Sequence, residues 1–222
     1  MVKKIAWLLL FIISLFSFIY ISVIIINKGG DPTNIDVAIR DFCYEHRGNK
    51  GEFLYWLFLS FSEFGYYRII GAIIIIMIIF TKCDNKTISL ILGLLIALSL
   101  SIAFKNVFSR GRPYVAYRWG LNTATAAYPS SYVTLSTFTW TFISYFTIKS
   151  NIRNWKKIIV VVLSIFIILS VISSRLFLGM NYFTDTIAGF ALGFMVFLFI
   201  IIIYNFMVKR KVLEGGIKFK KE

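Results

Sequence analysis

A lysine and an arginine stand seven residues apart in Lys105-Asn106-Val107-Phe108-Ser109-Arg110-Gly111-Arg112-Pro113, at the mouth of an apolar segment. Pro129-Ser130-Ser131-Tyr132 opens the next apolar run, and a third polar cluster goes from Ser174-Arg175 through Asn181 to Asp185. Lys105, Arg112 and Arg175 are suited to charge-assisted hydrogen bonds with a phosphate, the arginines in bidentate fashion. A helix starting after Pro129 would bring the Ser130 and Ser131 hydroxyls and free backbone N–H groups to the same anion. What is missing is a histidine to attack it. The Asn181 carboxamide nitrogen has a delocalised lone pair, and covalent catalysis needs an activated one. Tyr132, a phenol with a reference pKa of about 10, gives up a proton reluctantly at neutral pH. His46 is the only histidine and lies well away in sequence. The residues read as an anion grip without its chemistry.

These clusters are placed by a strongly apolar chain. Of its 222 residues 59% are hydrophobic and the mean hydropathy is +0.80, which excludes an ordinary soluble domain. We expect an all-α integral membrane protein, a six-transmembrane-helix bundle forming one domain over 1–222. The expected spans are 5–26, 67–80, 87–104, 132–147, 158–173 and 185–207, with motif loops 105–131 and 174–184 and a basic tail 208–222. Several are shorter than the roughly 20 residues a crossing needs, so their ends should extend into neighbouring polar sequence. The apolar stretch 53–64 is too short to cross and should lie in the interface or against the second span.

The net charge of +14 sits at span ends rather than on a soluble basic face, which argues against nucleic acid as a partner. With both termini cytoplasmic, the inner segments hold 14 cations against three acids and the outer segments 10 against seven. That bias follows the positive-inside rule and puts the phosphate site on the outer face. The amino-terminal apolar run follows Lys3-Lys4 but lacks a small-x-small cleavage site before Lys28, so it is read as a retained anchor. Cys43 and Cys83 fall on opposite sides of this topology and are expected to be free thiols. Gly29-Gly30-Asp31-Pro32 reads as the turn closing the first span. Gly189 and Gly193 read as a close-packing pair inside the bundle. Asn181 and Asp185, four apart, would share a face if both were helical. Arg110 and Arg118 are read as snorkelling anchors for lipid head groups, whereas the spacing of Lys105, Arg112 and Arg175 exceeds what a generic boundary requires.

At these residues the chain resembles the type 2 phosphatidic acid phosphatase family of membrane lipid phosphatases, whose motifs are K-x6-R-P, P-S-G-H and S-R-x5-H-x3-D. The first is complete as Lys105 through Arg112-Pro113, and the third keeps Ser174, Arg175 and Asp185 at matching spacing. The resemblance implies a histidine nucleophile where this chain has Asn181, and a histidine acid where it has Tyr132. The motif glycine is Ser131. Asp185 is then an orienting residue without its partner. The implied ligands are phosphatidic acid, phosphatidylglycerol phosphate or a polyprenyl phosphate in a bacterial cytoplasmic membrane, with no cofactor and no metal. Three functions compete: a non-hydrolytic binder of a lipid phosphate, a phosphatase with a non-standard mechanism, and a structural membrane protein with a relic pocket.

Overall fold

The computed structural model describes residues 2–47, 51–63, 67–81, 84–113 and 126–215. Among them it contains eight helices: α1 (Val2–Asn27), α2 (Asn34–Arg47), α3 (Gly51–Glu63), α4 (Tyr67–Thr81), α5 (Asn85–Phe108), α6 (Ser131–Lys149), α7 (Asn154–Phe177) and α8 (Phe183–Gly215). Four stretches are long and apolar enough to cross a membrane: Ile5–Asn27, Asn85–Phe108, Asn154–Phe177 and Phe183–Val208. These correspond to the first, third, fifth and sixth expected spans. The other two coincide with α4, whose apolar stretch Ile69–Ile79 is short, and with α6, which is rich in serine and threonine. α5, α6 and α7 extend past their expected apolar runs at both ends, whereas α4 adds a single residue to its expected span.

The polarity of α6 follows from its place at the centre, packed against α5, α7 and α8. Some of its hydroxyls fold back on their own helix: Thr134 donates to the Ser130 carbonyl at 3.0 Å and Thr139 to the Leu135 carbonyl at 2.8 Å. Such bonding satisfies a hydroxyl away from water. Gly189 and Gly193 let α8 close onto this helix. A Cβ at Gly193 would stand 2.4 Å from the Thr134 carbonyl oxygen, and one at Gly189 would stand 2.7 Å from that of Ser130. Phe138, Phe142 and Tyr145 of α6 join Leu90, Ala97, Phe197 and Leu198 in the main core. α1 packs along α8, where the Ser14 hydroxyl donates to the Ala191 carbonyl at 2.7 Å.

Three local devices deliver the polar clusters to one end of this bundle. Ser109 ends α5 in the left-handed region at φ 44°. Ser130 stands at the N-cap of α6, as expected of Pro129-Ser130-Ser131. Gly179, at φ 65°, turns the chain out of α7 so that α8 can start four residues later. The C-terminal ends of α5 and α7 thus meet the N-terminal ends of α6 and α8. The glycine turn after α1 is as read from sequence, with Gly29 at φ 61° and Gly30 at φ 90°. α3, expected in the interface or against the second span, packs mainly on α7 and makes a smaller contact with α4.

Candidate functional site

The centre of this end is a buried guanidinium between two carboxylates. Arg110 Nη1 lies 2.6 Å from Asp185 Oδ1 and its Nη2 lies 2.9 Å from Asp36 Oδ2, with all three side chains inaccessible to solvent. Arg110 also donates to the Gly30 carbonyl at 3.0 Å and to the Thr184 hydroxyl at 2.8 Å, and its Cζ sits 4.5 Å from the Tyr182 ring centre. The reading of Arg110 as a head-group anchor is therefore wrong. A cation with two carboxylates to answer it is held inside the protein instead of reaching for the membrane surface. Arg118 lies outside the described residues.

Both carboxylates serve as helix caps as well. Asp36 accepts from the Thr33 N–H at 3.0 Å while its own N–H donates to the Thr33 hydroxyl at 3.3 Å, a reciprocal cap at the start of α2. Its other oxygen accepts from the Thr184 N–H at 2.9 Å, joining α2 to the start of α8. Asp185 Oδ2 accepts from the Tyr182 N–H at 2.8 Å. Burial opposes the charge on Asp36, but the Thr184 and Thr33 N–H groups and Arg110 outweigh it and hold this carboxyl below its ordinary range. Burial likewise works against the Arg110 cation, yet Asp185 and Asp36 raise it above its ordinary value.

Around this triad stand the residues singled out in the sequence. Asn181 lies in the turn before α8, not on the helix, so it shares no helical face with Asp185. Its Oδ1 accepts from Arg175 Nε at 3.1 Å and from the Ser130 hydroxyl at 3.2 Å, and its Nδ2 donates to the Ala127 carbonyl at 2.7 Å. Arg175, at the end of α7, also reaches the Ser62 hydroxyl of α3 at 3.3 Å. Its Cζ lies 4.1 Å from the centre of the Tyr132 ring, so Tyr132 acts as a π surface for the guanidinium. Arg112 Nη1 donates to the Met180 carbonyl at 2.5 Å, and the Lys105 ammonium donates to the Ala126 carbonyl. Lys105 is within electrostatic reach of Arg112, Arg175 and Asp185. Burial pushes the Arg112 guanidinium down from its ordinary value, with Asp185 and Tyr132 opposing. Ser130 gives its own N–H to the Asp185 carbonyl at 3.1 Å, and Ser131 is buried in the first turn of α6. All of the expected site residues thus meet at one end of the bundle.

The match to a family model covers residues 86–209, described as the PAP2 superfamily. The chain belongs to the PAP2 superfamily. It is similar in structure to the first transmembrane PAP2-type phosphatidylglycerolphosphate phosphatase from Bacillus subtilis, at 19% identity and a TM-score of 0.75, covering 90% of this chain and 96% of that one. It is also similar to LpxE of Aquifex aeolicus, at 17% identity and a TM-score of 0.58, covering 72% of this chain and 93% of that one. No match was found among curated protein sequences. The fold and the membrane setting are those of PAP2 proteins.

Within this PAP2 bundle, sequence reasoning missed several participants, among them Asp36, Ser62, Met180 and Thr184. Asp36 carried a signal: Thr33-x-x-Asp36 has the spacing of a reciprocal helix cap. Ser62, Met180 and Thr184 carried none, because a lone hydroxyl or a backbone carbonyl has no pattern until the chain folds. His46 is exposed near the far end of α2 from Asp36, where Nδ1 bonds the Phe42 carbonyl at 2.8 Å. Cys43 is buried, and Cys83 lies outside the described residues.

Proposed function

We propose that this PAP2 chain holds a lipid phosphate head group between Lys105, Arg112 and Arg175 and does not hydrolyse it through a phosphohistidine. One observation carries the reading. Where the first and third motifs converge, the side chain at the nucleophile's place is a carboxamide already bonded to Arg175, Ser130 and Ala127. Such a group positions cations and cannot attack phosphorus. The orienting aspartate is committed elsewhere, since Asp185 answers Arg110 and caps α8. Tyr132 lies against Arg175, a posture that steadies a phosphate-binding cation. Ser130 and Ser131 complete the polar wall at the start of α6.

The finer placement belongs to the same proposal. Residues 1–222 form one domain of six spans, the four long helices together with α4 and α6. Both termini are cytoplasmic and the site faces the outer leaflet, in keeping with the charge bias of the loops. The membrane is a bacterial cytoplasmic one. Phosphatidylglycerol phosphate, phosphatidic acid and polyprenyl phosphates share the phosphomonoester that three cations would grip.

The test is phosphate release by purified protein in detergent from these lipids, alongside thermal protection by phosphate and vanadate. Protection without release, lost in Arg175→Ala, is the expected result. Release by the unmodified chain that disappears in Arg175→Ala would overturn the reading in favour of a non-standard phosphatase. Absence of both release and protection would leave a relic pocket. Restoring Asn181→His, Tyr132→His and Ser131→Gly together reports whether the scaffold can still support the reaction.

A further inference from the structure

At the other end of the bundle a groove opens between α4, α5 and α6. Its volume is about 370 Å³, and it is lined by Ile73, Met77, Phe142, Ile143 and Phe146, with Lys86, Thr147 and Ser150 on its rim. That volume lies in the range of about 300–1,000 Å³ typical of small-molecule sites. The walls are apolar, while the polar atoms are confined to one end, so the groove suits an amphiphile in one direction only. The rim charge sets the sign of the head. Lys86 is exposed, and its ammonium lies 5.7 Å from the Phe146 ring centre, over the mouth of the groove. The acid beside it in sequence, Asp84, is turned to the α5 cap, accepting from the Thr87 N–H and hydroxyl at 2.9 Å each.

The length of α5 decides which leaflet is involved. Lys86 and Lys105 lie nineteen residues apart on one continuous helix. At 1.5 Å per residue that is about 28 Å, close to the roughly 30 Å of bilayer hydrocarbon. Lys86 is therefore at the level of one head-group layer when Lys105 is at the other. We propose that the groove takes the acyl chain of a phosphate-bearing lipid from the leaflet opposite the Lys105–Arg112–Arg175 cluster, with its phosphate on Lys86. This second lipid site rests on the groove and the helix length, and stands whether or not the first site binds a lipid phosphate.

Native mass spectrometry of the full chain in a neutral detergent tests it, with lysophosphatidic acid, lysophosphatidylcholine and inorganic phosphate as separate probes. Lysophosphatidic acid is expected to bind with Lys86→Gln weakening it about tenfold or more, the loss of one charge-assisted contact. Ile143→Trp and Met77→Phe, which fill the groove from different walls, are expected to displace it. Lysophosphatidylcholine should bind at least tenfold more weakly, and inorganic phosphate should show no binding that depends on Lys86. Thermal midpoints of the variants establish that each is folded. In an Arg112→Ala background the Lys86-dependent lipid should remain. The proposal is overturned if Lys86→Gln and both wall variants leave every bound lipid in place. It is equally overturned if all lipid is lost in Arg112→Ala, or if Lys156→Gln weakens binding as much as Lys86→Gln.

Discussion

Replacing Arg110 by methionine keeps a long side chain and removes the charge that answers two buried carboxylates. The native guanidinium contacts Asp185 at 2.6 Å, Thr184 at 2.8 Å, Asp36 at 2.9 Å and the Gly30 carbonyl at 3.0 Å. Removing one partner of a buried ion pair costs about 3–5 kcal/mol, since the charge left behind is neither solvated nor paired. For a chain of this size that corresponds to a fall of roughly 6–20 °C in the unfolding midpoint. Asp36→Asn should cost less, about 1–3 kcal/mol, because it leaves Arg110 and Asp185 as a one-to-one pair and keeps an oxygen for the Thr184 N–H. The assay is thermal unfolding in a fixed detergent for Arg110→Met, Asp36→Asn and the double variant. The double should be less destabilised than the sum, by a coupling of about 0.5–3 kcal/mol. An Arg110→Met protein within about 1 kcal/mol of the parent would refute the reasoning, as would strict additivity in the double.

Three other outcomes are expected. The folded Asp36 carboxyl is held below its unfolded value, so its contribution is fully present above the unfolded pKa of about 4 and is lost as pH falls below that. Unfolding midpoints measured downward from neutral pH should drop in that window, and the drop should be shallower in Asp36→Asn. Gly193→Ala should destabilise by about 1–3 kcal/mol, because its Cβ would meet backbone of α6 at 2.4 Å and the two helices must separate; a midpoint unchanged by the methyl would contradict that packing. Asn181→Asp replaces an amide that bonds the Ala127 carbonyl with a carboxylate that cannot donate to it and that repels a phosphate. Thermal protection by phosphate or vanadate should fall by about tenfold in effective affinity, and protection equal to that of the parent would count against the proposed site.

Much of the site was legible because its pattern is local. Lys105 and Arg112 sit in one motif, and Arg175 and Asp185 in another, each next to an apolar run whose end predicts a common membrane level. The helices were legible for the same reason, since long apolar runs with basic flanks leave the backbone in a bilayer little alternative to a helix. Arg110 shows where that reasoning stops. In sequence it is one more cation at a span end, indistinguishable from a snorkelling anchor, and its true partners lie 74 and 75 residues away. Asn181 gives the same lesson in milder form. Spacing alone puts it on a helical face with Asp185, whereas the Gly179 turn holds it outside the helix and against Arg175.

The sequence by itself determined that the chain is a helical membrane protein carrying Lys105, Arg112 and Arg175 at the spacing of the motifs it resembles, with Asn181 and Tyr132 where that resemblance implies histidines. These are matters of residue type and short-range spacing. Only the tertiary structure decided where the charges go. It turned Asp185 toward Arg110 instead of Asn181, brought in Asp36 from α2, and laid Tyr132 against Arg175. The physical reason is that a buried charge must be answered by a neighbour in space, and the chain's folding, not its order, determines who that neighbour is.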